Sequence, residues 1–187
     1  MNYHQIYADF VLQDENFQEA FNIVRRNSTG DVWLIGGSVY RNIAHLLYET
    51  DKAPVDFDFI VESPNSIIVL PQDWRLSKNK YGNPKFIGEK FSVDFVPLKT
   101  VHSINRRGLE FTFANFLTGT PLTIQSIGYN PVKNTLEGNI GLEAIRTKSV
   151  AVNNFEQAEI YARKKGKPIK EVIREKAESL GFSPVFL

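Results

Sequence analysis

The run Leu34-Ile35-Gly36-Gly37-Ser38-Val39, followed by Asp56-Phe57-Asp58-Phe59-Ile60-Val61, decides how the rest of this sequence is read. Val32 to Ile35 is an apolar run of strand length, and Gly36-Gly37 ends it in a turn where the backbone can approach another group closely. Ser38 is placed to cap a helix that carries Val39, Ile43, Leu46 and Leu47 inward. Asp51 to Pro54 stops that helix before a second strand from Val55 to Val61.

In a strand, residues i and i+2 share a face. Asp56 and Asp58 therefore stand side by side, about 6 to 7 Å apart, while Phe57 and Phe59 face the core. Two like charges so close repel, and a hard cation with oxygen ligands, Mg²⁺ or Mn²⁺, makes the arrangement favourable. Asp94 lies between Val93 and Phe95 on a third strand, Phe91 to Val96, closed by Pro97, and alternation turns it away from those two apolar neighbours. Three carboxylates on neighbouring strands suit in-line phosphoryl or nucleotidyl transfer. The backbone N–H groups at the Gly36-Gly37 turn and the helix start can cradle a phosphate, although a plain tight turn explains the same residues.

Outward from this centre, Phe17, Ala20, Phe21 and Val24 mark an amphipathic helix with Asp14 as N-cap, ended by Ser28-Thr29-Gly30. Ile67 to Leu70 and Phe86-Ile87 read as strand pieces on either side of an exposed loop, Ser77 to Asn83. Leu109 to Leu117 is apolar without a clear period and stays open between helix and strand. Leu122 to Tyr129, Leu136 to Ile145 and Ser149 to Val152 make short elements, and Phe155 to Lys165 and Ile169 to Leu180 make two helices, with Pro168 in the first turn of the second.

Composition agrees with a globular chain: 42% of the 187 residues are apolar, with 14 Phe and 7 Tyr, enough to bury a core. The 22 basic and 21 acidic residues nearly cancel to +1, so any polyanionic partner is recognised locally. There is no Cys, which excludes disulfides, thiolate metal sites and a Cys nucleophile. No basic leader precedes an apolar stretch and no run approaches a membrane span, so the expectation is a cytoplasmic protein without a membrane partner. His4, His45 and His102 lack metal-ligand spacing, and Trp33 and Trp74 read as packing residues. Arg163, Lys164, Lys165, Lys167, Lys170, Arg174 and Lys176 give the C-terminal stretch a basic excess, read as a solvated helix face interspersed with Glu or as a contact for RNA or another polyanion.

The two opening runs resemble the head domain shared by CCA-adding enzymes and bacterial poly(A) polymerases, within the polymerase-β-like nucleotidyltransferase superfamily, which carries a Gly-Gly-x-Val-Arg-Asp turn and then an Asp-x-Asp strand. Leu122-Thr123-Ile124-Gln125-Ser126-Ile127-Gly128-Tyr129-Asn130 is similar to that family's Phe-Thr-Ile-Asn-Ala-Leu-Ala-Tyr-Asn segment. Gly141-Leu142-Glu143-Ala144-Ile145-Arg146-Thr147 resembles its Gly-Leu-x-Asp-Leu stretch. The resemblance runs from about Asp31 to Val152 and implies an α+β (mixed α/β) fold, a central mixed sheet flanked by helices, with a head over residues 1–152 and a helical appendage over 153–187.

It further implies that Asp56, Asp58 and Asp94 bind metal and catalyse, and that Gly36, Gly37, Ser38 and Arg41 hold a nucleoside triphosphate. The acceptor is then a hydroxyl of RNA, a small molecule or a protein. The chain departs from the family in two places. Tyr40-Arg41-Asn42 stands where the family has Arg-Asp, and Thr118-Gly119-Thr120-Pro121 stands where it has Arg-Arg-Asp; Arg106-Arg107 lies earlier than that place. A guanidinium fork recognises phosphate or a base edge in a way that Thr and Pro cannot. The chain also stops soon after the head, where the tRNA-handling relatives continue into helical domains, which speaks against a stand-alone CCA-adding enzyme. A catalytically inactive module that binds nucleotide, RNA or a protein is therefore the alternative to a transferase.

Overall fold

The structure is a computed structural model that describes residues 3–186. Helices α1 (Tyr3–Val11) and α2 (Glu15–Arg26) precede strand β1 (Ser28–Ile35), and α3 (Gly37–Tyr48) carries the chain to β2 (Phe57–Pro64). The hairpin β3 (Arg75–Lys78) and β4 (Pro84–Ile87) leads to β5 (Ser92–Pro97), then to a 3-10 turn at Leu98–Thr100, α4 (His102–Arg107) and α5 (Phe113–Leu117). A second 3-10 turn (Thr123–Gln125) precedes β6 (Gly128–Asn130), β7 (Thr135–Glu137), α6 (Asn139–Arg146) and β8 (Ser149–Val150). The chain closes with α7 (Phe155–Lys165), α8 (Ile169–Glu178) and β9 (Ser183–Pro184). Seven strands form one sheet in the order β3-β4-β5-β2-β1-β6-β7, with β2 parallel to β5 and the other neighbours antiparallel. The expected mixed sheet flanked by helices is thus present, and among the described residues no helix is long and apolar enough to cross a membrane.

Strand alternation sorts the two faces of this sheet. Val32 and Leu34 of β1, Phe57, Phe59 and Val61 of β2, and Val93 and Phe95 of β5 all enter one large core with α1, α2, α3, α6 and α8. Phe59 and Phe95 are fully buried there, and burying one such ring is worth about 1.5 to 3 kcal/mol. The intervening residues Trp33 and Ile60 turn to the opposite face and join Leu98, Val101, Ile104, Phe113 and Leu117 in a smaller core. Trp33 stacks on Phe113 with ring centroids 4.5 Å apart and donates its indole N–H to Glu137, while Trp74 donates to Glu19, so both tryptophans are packing residues as expected.

Several local expectations change. Asp14 does cap α2, accepting from the backbone N–H groups of Asn16 and Phe17. That helix stops at Asn27, however, and Ser28, Thr29 and Gly30 already belong to β1, with a bulge between Thr29 and Val32. Ser38 does not cap α3: Gly36 occupies the cap position, and the Ser38 hydroxyl donates back to Ile35 O. The second strand begins at Phe57, so Asp56 sits just ahead of it.

The strand expected at Ile67 to Leu70 is absent, because a side chain takes the place of a neighbouring strand. The buried amide of Asn27 accepts from Val69 N and donates to Val69 O, so an extended segment is satisfied without a ladder. Phe86-Ile87 is confirmed in β4, whereas Ser77 and Lys78 of the expected loop lie in β3. The open segment Leu109 to Leu117 resolves in its second half as α5.

The first C-terminal helix forms as read, and the second ends at Glu178 rather than Leu180, with Pro168 at its N-cap. Val172, Ile173, Ala177, Leu180 and Phe182 belong to the same large core as the sheet, and β9 pairs with β8. Of the basic residues there, Lys167 pairs with Glu171 and Glu175, Arg163 with Glu159, and Lys176 donates to Tyr40 Oη. These belong to the solvated, internally paired face.

Candidate active site

The parallel pairing of β2 with β5 places Asp58 directly opposite Asp94, in the same register that sets Phe57 against Val93 and Phe59 against Phe95. Because those apolar neighbours are locked into the large core, both carboxylates emerge together on the other face. Asp58 is partly buried beside Asp94, and desolvation first, then the charges of Asp94 and Asp56, push its carboxyl up to about 7. Lys85 from β4 gives partial relief, with its ammonium 3.4 Å from Asp94 Oδ2.

Asp56 stands apart from this pair. It is exposed ahead of β2, and its Oδ1 accepts a 2.6 Å hydrogen bond from Ser92 Oγ. Among the described residues, no group of three His, Cys, Asp or Glu side chains is placed to hold a metal ion. The expected trio is thus a close pair, Asp58 and Asp94, with Asp56 near enough to act on Asp58 through its charge. The pair itself suits a hard divalent cation: two carboxylates stand side by side in a partly desolvated site where Lys85 offsets only part of their mutual repulsion.

The glycine turn abuts the same carboxylate. Gly36 has φ +76°, and a Cβ built there lies 2.8 Å from Asp58 Oδ2, so no side chain fits between turn and acid. The turn is braced from beneath, since the buried Tyr7 of α1 donates its hydroxyl to Ser38 O and Asn42 donates to the same oxygen. Ser38 is itself buried, its hydroxyl engaged with Ile35 O. Arg41 does not turn to the carboxylates: its guanidinium donates to Ser179 O and Ser179 Oγ behind α8. The structure therefore joins Gly36 with Asp58 and Asp94, keeps Gly37 at the start of α3, and assigns Ser38 and Arg41 to scaffolding contacts.

Asp58 and Asp94 open into a cleft of about 550 Å³. Ile35, Ile60 and Val96 line its sheet side, and Phe116 and Ile160 of α5 and α7 contribute apolar walls. Its polar lining includes Lys80 and Tyr81 of the β3–β4 loop, His102 and Arg106 of α4, and Lys164 of α7. Sequence reading passed over most of these. The loop looked merely polar, and Arg106 stood too early in the chain to be matched with the missing arginines. The fold separates that arginine pair. Arg106 lines the cleft and pairs with Glu156 at 2.9 Å, whereas Arg107 donates to Ser103 O, Thr118 Oγ1 and Asn115 O, holding α4 to α5.

Asn79 is another residue that the sequence did not single out. Its Nδ2 donates to Asp94 Oδ1 at 2.9 Å while its Oδ1 accepts from the backbone N–H groups of Tyr81 and Asn83. One amide thus orients a carboxylate of the pair and shapes the adjoining loop. Its only sequence signal is an Asn four residues before another Asn at a hairpin, a common turn composition.

No protein-family model matches this chain, and no curated protein matches it. Solved structures do. A tRNA-processing enzyme in an apo form aligns with 92% of this chain and 44% of its own, at TM-score 0.59 and 16% identity. A CCA-adding enzyme with CTP aligns with 80% of this chain and 36% of its own, at TM-score 0.55 and 15% identity. A CCA-adding enzyme with ATP aligns with 83% and 35%, at TM-score 0.54 and 19% identity. The chain spans less than half the length of each of these enzymes, and the likeness establishes a nucleotidyltransferase-like fold.

Proposed function

We propose that this chain is a Mg²⁺-dependent nucleotidyltransferase that moves a nucleoside monophosphate from a nucleoside triphosphate to a hydroxyl acceptor on RNA, a small molecule or a protein, with pyrophosphate as the leaving group and loss of the acceptor's proton. The observation that carries the proposal is the pairing of Asp58 with Asp94 in register, at the side of a cleft with an apolar interior and cationic rim. Asp58 and Asp94 would hold Mg²⁺ or Mn²⁺, with Asp56, which accepts from Ser92 Oγ, beside them. When bound, the metal neutralises triphosphate oxygens and lowers the pKa of the acceptor hydroxyl. The chain's own groups supply position: Ile35, Ile60 and Val96 exclude water from one side, Gly36 lets the backbone approach the carboxylates, and Asn79 orients Asp94. The fold shared with CCA-adding enzymes supports the same reading. A chain without cysteine is compatible with the reducing cytoplasm, where we place its work.

The alternative, an inactive module that binds nucleotide, RNA or a protein, is favoured by one observation: Arg41 is engaged with Ser179. Incubation with each labelled nucleoside triphosphate, Mg²⁺ or Mn²⁺ and a pool of RNAs, small alcohols and proteins decides between them. Label transfer lost in Asp58→Asn and Asp94→Asn supports catalysis. Metal-dependent triphosphate binding without transfer to any acceptor supports the module.

A further inference from the structure

Two lysines stand at the cleft with no acid to answer them. Lys80 lies on the loop between β3 and β4, and Lys164 on α7, and both ammonium groups sit on the ring of Tyr81, at 5.3 and 4.5 Å from its centroid. Lys164 also donates to Tyr81 Oη at 3.2 Å. Among the described residues neither lysine has a carboxylate within ion-pair distance, whereas Arg106 pairs with Glu156 and Lys85 with Asp94. The aromatic face offsets part of the repulsion between the two cations, but an exposed cation–π contact is worth only about 0.5 to 1 kcal/mol. The arrangement is short of negative charge at the rim, as the carboxylate pair is short of positive charge at the floor.

The loop bearing Lys80 and Tyr81 is built rather than slack. Asn79 N donates to Asn83 O, Gly82 N donates to Asn79 O, and Thr100 Oγ1 donates to Asn83 Oδ1 at 2.6 Å. Asn79 also ties this loop to Asp94 through its side chain. The loop that carries Lys80 and Tyr81 is therefore tied to the carboxylate floor by one amide.

We infer that Lys80, Lys164 and Tyr81 form a polyphosphate-holding rim, which grips the triphosphate tail of the nucleotide. The inference rests on the transferase reading and adds to it the residues that hold the tail. Tyr81 is the positioning residue, keeping the two ammonium groups together in the absence of ligand. α7 is thereby part of the nucleotide site, meeting the β3–β4 loop through the Lys164–Tyr81 contact.

Calorimetric titration tests it, with inorganic tripolyphosphate, ATP and a single-stranded RNA, each with and without Mg²⁺, against the whole chain. Each of Lys80→Gln and Lys164→Gln is expected to weaken tripolyphosphate and ATP by about 5- to 10-fold, with a shallower salt dependence, and the Arg variants to restore binding. Tyr81→Leu is expected to weaken both ligands less than either lysine variant. All three positions are exposed, so the variants retain the fold, checked by unchanged melting temperature. Tight ATP binding that is indifferent to both lysine variants overturns the rim while leaving the transferase reading standing. Lysine dependence confined to the RNA arm also overturns it, since the rim then serves an acceptor. Failure of the wild-type chain to bind any triphosphate overturns the rim and the transferase reading together.

Discussion

Strands β1, β2 and β5 each contribute to both faces of the sheet, and the faces have opposite characters. On one, Phe57, Phe59, Val61, Val93 and Phe95 are sealed beneath helices. On the other, Ile35 and Val96 are only partly buried, and Asp58 and Asp94 face a cleft. The sealed face supplies the stability that lets the open one carry carboxylates whose charges oppose each other. What separates function from scaffold here is a single step along each strand.

The sharpest way to break the comparison is Asp58→Asn. Removing one carboxylate of the pair is expected to lower nucleotidyl transfer at least about 1,000-fold, equivalent to about 4 kcal/mol of barrier, while a thermal melt shows the fold intact. Neighbours on β5 sharpen it further. Phe95→Ala is expected to cost about 3 to 5 kcal/mol in denaturant unfolding, and Val96→Ala, on the open face, about 1 kcal/mol.

The third prediction concerns pH. Asp58 titrates near 7 in the fold against 3.8 for the free side chain, so the folded state binds this proton more tightly than the unfolded one. Its contribution is then full below about pH 4 and is lost as pH rises through 7. In EDTA, the melting temperature of the wild type should fall relative to Asp58→Asn between pH 5 and 8, and Mg²⁺ at pH 8 should recover part of the difference. Parallel curves for the two proteins would remove the electrostatic argument for a cation site.

The smallest effect is expected from Arg41→Ala. Loss of its contacts to Ser179 should cost about 1 kcal/mol in stability and leave ATP affinity within about twofold of wild type. A large loss of ATP affinity would return Arg41 to the nucleotide site.

The sheet strands were legible because they alternate: Phe57-Asp58-Phe59 and Val93-Asp94-Phe95 each carry one acid between apolar neighbours, and burial of those neighbours dictates where the acids point. The Gly36 turn was legible for a comparable reason, as only glycine fits against Asp58. Other parts were hidden because side chains act in place of local patterns. Ile67 to Leu70 has strand texture, but Asn27 supplies its hydrogen bonds. Helix α1 went unread because only Tyr7, Ala8 and Val11 are buried, a stripe too narrow to stand out. The cleft rim was invisible for a different reason: Lys80, Arg106 and Lys164 come from three distant segments, and only tertiary packing brings them to one opening. Ser38 looked like a cap from its position alone, whereas its hydroxyl is spent on Ile35 O.

The parallel junction of β2 and β5 has one last consequence. A pairing slipped by a single residue would force an acid into the greasy interior and strand an aromatic ring in water, so misaligned chains carry a heavy thermodynamic handicap. Correct docking of the two carboxylates is therefore proofread by the folding reaction itself. Selection for a well-packed interior is enough to keep the acids aligned, even in generations when their chemistry goes unused.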